Sequence, residues 1–130
     1  MLNIIRNNPK SMPKPVGDYS HVTRVPAGAS LIVTSGQIGI DMNGNVPDSL
    51  TDQVNYTFVN IKKALESEGL LPDNVIKVNI WATEEIDWAY FYLKWNELFE
   101  GDYPSMTIAY ISALGLPELK IEIELWCAST

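Results

Sequence analysis

Between residues 120 and 127 the chain alternates without a break. Ile121, Ile123 and Leu125 fall on one side of an extended strand, and Lys120, Glu122, Glu124 and Trp126 fall on the other. A strand of this kind buries one face only, so the fold must lay an apolar layer against the isoleucines. Two segments have the spacing to supply it. Ser49 suits the N-cap of a helix whose apolar residues Leu50, Val54, Phe58, Ile61 and Leu65 form one stripe, with Gly69 as its stop. Thr83 is placed to cap a second helix, in which Trp88, Phe91, Trp95, Leu98 and Phe99 recur at helical spacing up to Gly101.

The rest of the chain reads mainly as strands and turns. Residues 20–25 and 30–34 are β-rich and separated by Pro26-Ala27-Gly28-Ala29, a hairpin signature. The second run continues through Ser35-Gly36-Gln37-Ile38-Gly39-Ile40, where two glycines imply a bend, a bulge or a close backbone approach. Residues 41–45 read as a hairpin turn at Asn43-Gly44, because the glycine comes fourth where a calcium loop needs it sixth. Residues 75–82 alternate, residues 106–113 and 120–127 close the chain as strands, and a short extra strand is expected at residues 2–6. The order β-β-α-β-α-β-β predicts an α+β fold, a single domain over residues 1–130 with both helices on one face of a mixed sheet. Nothing in the chain then covers the face of Glu122, Glu124 and Trp126. A closed homo-oligomer would cover it and create clefts between subunits.

Composition removes several functions. With 16 Asp and Glu against 9 Lys and Arg the formal charge is −7, and no basic stripe is present, so neither nucleic acid nor an anionic membrane is an expected partner. One cysteine, Cys127, and one histidine, His21, exclude an intrachain disulfide framework, a Cys-rich zinc site and a multi-histidine centre. No metal is expected. The opening segment lacks a signal-peptide pattern and no apolar run has membrane length, so a cytoplasmic location is expected. Taken singly, His21 reads as a strand residue, Cys127 as an inert buried thiol, and Trp88, Phe91 and Trp95 as core. The sequon Asn55-Tyr56-Thr57 falls inside the first helix.

Four stretches carry a family resemblance: Gly17-Asp18-Tyr19-Ser20, Ile32-Val33-Thr34-Ser35-Gly36-Gln37-Ile38-Gly39, Tyr103-Pro104-Ser105-Met106-Thr107 and Leu116-Pro117-Glu118-Leu119-Lys120-Ile121-Glu122-Ile123-Glu124. In order and spacing they resemble the signatures of the reactive intermediate deaminase family, also called Rid, YjgF or L-PSP. The resemblance implies a chorismate-mutase-like fold and a homotrimer with small-molecule sites at subunit interfaces. It also implies hydrolysis of enamines or imines to a keto acid and ammonia with no metal or organic cofactor. Carried over by position, Tyr19 and Glu122 would be catalytic, Glu122 holding the water. Ser35, Gly36, Tyr92, Met106 and Thr107 would contact the ligand.

One departure bears on the chemistry. Where active members place an arginine in the Pro-x-Arg motif, this chain has Met106, and a thioether can neither carry charge nor bind a carboxylate through two hydrogen bonds. The chain's two arginines, Arg6 and Arg24, lie elsewhere, and Lys120 shares a strand face with Glu122 as a substitute cation by pattern. Asp18 replaces the family's proline, and Tyr92 stands where an asparagine is common. Two readings stay open: an imine or enamine deaminase weak on 2-aminoacrylate, and a non-catalytic small-molecule binder or regulator. An endoribonuclease or translation inhibitor is disfavoured by the acidic charge.

Overall fold

The computed structural model describes residues 3–129. In chain order the elements are β1 (Ile5–Asn7), β2 (Val22–Arg24), β3 (Ser30–Val33), β4 (Gln37–Ile38), α1 (Leu50–Ser67), β5 (Val75–Ala82), α2 (Trp88–Phe99), β6 (Ser105–Tyr110) and β7 (Ile121–Ser129). The alternating strand at the C-terminal end, β7, lies inside the main sheet, whose order is β3-β7-β5-β6 with β4 also paired to β7. It runs antiparallel to β3, β4 and β5, while β5 and β6 are parallel, which makes the sheet mixed. Ile121, Ile123 and Leu125 are buried in one cluster with Val78 and Ile80 of β5, the stripe of α1, and Phe91, Trp95, Leu98 and Phe99 of α2. Both helices therefore cover one face, as the spacing predicts.

The helix ends follow local chemistry. Ser49 caps α1, its Oγ accepting from Asp52 N at 3.1 Å. The cap of α2 is Asp87, not Thr83: Asp87 Oδ1 accepts from Tyr90 N at 3.2 Å. Thr83 is still tied to the sheet side, its N–H donating to Lys120 O at 3.0 Å, so the chain turns away before the helix starts. Glu100 and Gly101, at φ 52° and 86°, end α2 in the left-handed region.

Other strand expectations are corrected. Residues 20–25 and 30–34 do not form a hairpin. β2 pairs with β1 (Arg6 opposite Thr23) in a separate two-stranded sheet, and β3 pairs with β7 (Ile32 opposite Cys127). Ile32 packs on the core only from beside β7, and that packing outweighs the local turn signal. Residues 41–45 form a turn closed on itself and not a hairpin between strands. Asp41 Oδ1 accepts from the N–H of Asn43 and of Asn45, each at 2.9 Å, and no strand separates the turn from α1. β6 stops at Tyr110, short of Ala113. The early strand is Ile5–Asn7, and Leu2 of the expected segment lies outside the described residues.

Two buried polar side chains tie the layers together. Gln53, with no exposed surface, donates to Pro47 O (2.8 Å) and Glu118 O (2.9 Å) and accepts from Lys120 N at 2.8 Å. Arg6 donates to Pro72 O at 3.1 Å, to Val75 O at 2.8 Å and to Asp102 O, and pairs with Asp102 Oδ2 at 3.2 Å. It is a clamp between β1, the start of β5 and the turn after α2. Replacing it by a neutral chain of similar length, Arg6→Met, leaves those carbonyls unpaired and should cost about 2 kcal/mol. Urea unfolding measures this; an unchanged midpoint would contradict the clamp.

Candidate functional site

β6 is an edge strand, and its free side faces the first turns of α2 across a cleft of ≈ 550 Å³. Met106, Thr107 and Ile108 form one wall, Trp88 and Tyr92 of α2 another, and Val16, Gly17 and Tyr19 the third. No lining side chain is charged. Four of the residues expected to meet a ligand, Tyr19, Tyr92, Met106 and Thr107, thus share one cleft. Met106 stands opposite the buried Val78 and so leans toward the helices, against the core.

The third wall has its own anchor. Trp95 Nε1 donates to Asp18 O at 2.7 Å, and Asn96 Nδ2 donates to Asp18 Oδ2 at 3.0 Å. Tyr103 OH donates to Asn96 Oδ1 in turn, and Val16 N donates to Tyr19 OH at 3.2 Å. Asp18 therefore fastens the loop to α2, with its carboxylate taken up by an amide. Gly17 approaches the phenol closely: a Cβ there would lie 2.3 Å from the Tyr92 hydroxyl oxygen, so the Tyr92 side chain would have to shift to admit one. Burial chiefly, with the Asp18 charge adding to it, pushes the Tyr92 and Tyr103 phenols up from their ordinary value. At neutral pH both are hydrogen-bond donors and not bases.

Ser35, Gly36 and Glu122 lie elsewhere. Glu122 stands opposite Trp81 of β5, and its strand neighbours Ile121 and Ile123 are wholly buried, so it lies on the sheet face away from the helices. Met106 and Glu122 are consequently on opposite faces of the sheet within one chain. Gly36 is pressed onto Glu122: an added Cβ would sit 2.0 Å from its Oε1 and 2.4 Å from its Cγ. Ser35 is exposed and borders a smaller hollow between β3 and the end of α1.

On the same open face Lys77 Nζ donates to Thr107 Oγ1 at 2.8 Å, and Asn79 Nδ2 donates to Glu124 Oε1 at 3.0 Å. Lys120 is not among the residues lining the cleft; its Nζ lies 3.6 Å from Glu84 Oε1. Among the described residues no group of three or more His, Cys, Asp or Glu could hold a metal, and no helix is long and apolar enough to cross a membrane.

Sequence reasoning missed Trp88 and Asn96. Trp88 continues the core stripe of α2 but sits at its first turn, where the helix leaves the sheet, so the indole is half exposed in the cleft. Asn96 follows Tyr92 by one helical turn, a spacing that would have flagged a shared face.

Comparison with known proteins identifies the family and the fold. A family model described as Endoribonuclease L-PSP matches residues 9–129. A 2-iminobutanoate/2-iminopropanoate deaminase of Dermatophagoides farinae is 30% identical over 118 residues, covering 86% of each chain. A RutC family protein of Pyrococcus horikoshii is 32% identical over 117 residues, covering 88% of this chain and 90% of its own. Among solved structures, a Rid-family protein of Yersinia pestis superposes with a TM-score of 0.86 at 25% identity, covering 98% and 99% of the two chains. Escherichia coli TdcF with bound serine gives 0.69 at 25% identity, covering 91% and 93%.

The buried ionisable groups make a pH prediction. Burial pushes the Cys127 thiol up to about 11 from 9.0, so the folded state holds its proton after the unfolded chain has released it. The raised phenols act in the same direction at higher pH. Stability is therefore fully present below about pH 9 and falls as pH climbs toward 11. Urea midpoints at stepped alkaline pH should decline, with a shallower decline in Cys127→Ala; a flat profile would contradict the assignment.

Proposed function

The chain belongs to the Endoribonuclease L-PSP family, the Rid family, and from that premise we propose that its cleft binds a small imine or enamine and hydrolyses it to a carbonyl compound and ammonia. The reading is carried by one observation: Tyr19, Tyr92, Met106 and Thr107 converge on a single cleft that holds no charge. A relative named as a deaminase of 2-iminobutanoate and 2-iminopropanoate, and a relative with bound serine, support small-molecule chemistry at this fold.

In the proposed reaction water adds to the carbon of the C=N bond, the nitrogen takes up protons, and ammonia leaves as the carbonyl forms. The phenols of Tyr19 and Tyr92 would orient the substrate, and Glu122 would hold the water. Glu122 lies across the sheet from Met106, so the carboxylate must come from another copy of the chain. That calls for a homo-oligomer, which we read as the homotrimer the family resemblance implies. The open sheet face supports it, since it exposes Leu31, Val33 and Trp126 around the polar row of Lys77, Asn79, Glu122 and Glu124. A charge of −7 and a cleft without basic residues give no support to the nuclease activity in the family's name.

The same neutral lining separates this protein from a 2-aminoacrylate deaminase. Without a cation at position 106 nothing in the cleft stabilises a substrate carboxylate beside the reacting carbon, a contact worth several kcal/mol when buried and bidentate. It also favours a second reading, a cleft that binds a ligand without turning it over.

The test generates 2-aminoacrylate with a dehydratase and follows keto-acid formation. The protein should accelerate it far less than an arginine-bearing relative does, and Met106→Arg should raise the rate by about tenfold or more. Wild-type activity equal to the relative's would overturn the reading. If neither form acts on any imine while the cleft still binds ligands, the binding-only reading stands.

A further inference from the structure

A second cavity of ≈ 590 Å³ abuts the first at Gly17 and Tyr19 and is walled by the loop of residues 8–15 together with Tyr103. Two of its lining residues are Lys10 and Lys14. Resting on the reading that the cleft is the ligand site, we infer that this loop forms an anion compartment beside it. The preferred ligand then has an apolar end against Met106, Trp88 and Tyr92 and a carboxylate or phosphate at its other end, beyond Tyr19. The negative charge is moved away from the reacting carbon, where the cleft has nothing to receive it.

Three observations carry this. The first is charge placement. The first seventeen residues contain Arg6, Lys10 and Lys14 and no carboxylate, in a chain whose formal charge is −7. Arg6 is committed to Asp102, and Lys94 and Lys120 have carboxylate partners, whereas Lys10 and Lys14 pair with none among the described residues.

The second is order without secondary structure. Pro9, Pro13 and Pro15 fix three backbone angles, and Met12 N donates to Pro9 O at 3.1 Å. His21 then holds the loop at both ends: its Nε2 donates to Pro13 O at 2.7 Å, and its backbone N donates to Asn8 Oδ1 at 2.8 Å. A loop stiffened in this way fixes the backbone that carries both lysines, so little backbone ordering is left to lose on binding.

The third concerns the opposing charge. Asp18, the carboxylate beside both cavities, is held toward α2 by Asn96 through Oδ2 and keeps its single charge, against which the loop sets two ammonium groups. An ammonium on a flexible stem receives either a carboxylate or a phosphate without the fixed geometry that the missing arginine would impose.

The test measures calorimetric binding of 4-phenylbutanol, 4-phenylbutanoate and 4-phenylbutyl phosphate to the full chain, to Lys10→Gln/Lys14→Gln, and to Lys63→Gln, an exposed lysine of α1 away from both cavities, as control. In the wild type and the control at least one anionic probe should bind about fivefold or more tighter than the alcohol, less so at high salt. The double variant should lose that preference and keep its affinity for the alcohol. Whichever anion is preferred identifies the compartment's natural group. A preference that survives in the double variant, or is lost only in Lys63→Gln, overturns the proposal. Wild-type affinities for the alcohol and the anions that are equal also overturn it, while leaving the cleft as a ligand site. Failure of the alcohol itself to bind overturns the cleft reading on which the proposal rests.

Discussion

β7 is hydrogen-bonded on both sides, to β3 and β4 along one edge and to β5 along the other, and its residues alternate strictly between the two sheet faces. That constraint sorts the rest of the chain. Every strand beside it takes its register from keeping Ile121, Ile123 and Leu125 toward the helices, since a slip by one residue would bury Glu122 and Glu124 among them. The glycines follow from the same crowding. Gly39 lies against the backbone of Gln53 on α1, where a Cβ would come within 2.5 Å of Cα, and Gly36 lies against Glu122 on the far face.

Sorting by face also divides the chemistry. The helix side ends in a cleft at the β6 edge with phenols, an indole and a thioether; the open side carries Glu122, Glu124, Lys77 and Asn79. On the proposed function these are two half-sites that the sheet keeps apart, and they would meet only when another copy brings its open face to the cleft edge, so that assembly and catalysis would be a single requirement. Beside the cleft, Asp18 is bonded through its side chain to Asn96. The Gly17–Tyr19 wall is thus held by α2 and not by the backbone alone.

What the sequence made legible was whatever depends on periodicity. The stripe of α1, the alternation of β5 and β7 and the one-sided helix layer all follow from patterns that recur over many residues. The errors fall where a local signal competes with a distant partner. Pro26-Ala27-Gly28-Ala29 does turn the chain, but Ile32 needs the core beside β7, so the flanking strands join different sheets. Thr83 has cap chemistry, yet its backbone is still tied to Lys120, and the helix waits for Asp87. The candidate site was legible only through resemblance. Within one chain Tyr19, Tyr92, Met106 and Thr107 meet at a cleft while Ser35, Gly36 and Glu122 lie outside it, a separation that a linear motif does not display. Lys120 shares the strand face of Glu122, and its ammonium lies beside Glu84.

On the proposed function a lone chain is incomplete, and its open sheet face is covered by further copies of itself. Sedimentation velocity of the purified chain at micromolar concentrations measures this. One species of three times the chain mass is expected, persisting on dilution through the micromolar range. A chain that sediments as a monomer under those conditions would contradict it, and with it the placing of Glu122 in the cleft of another copy.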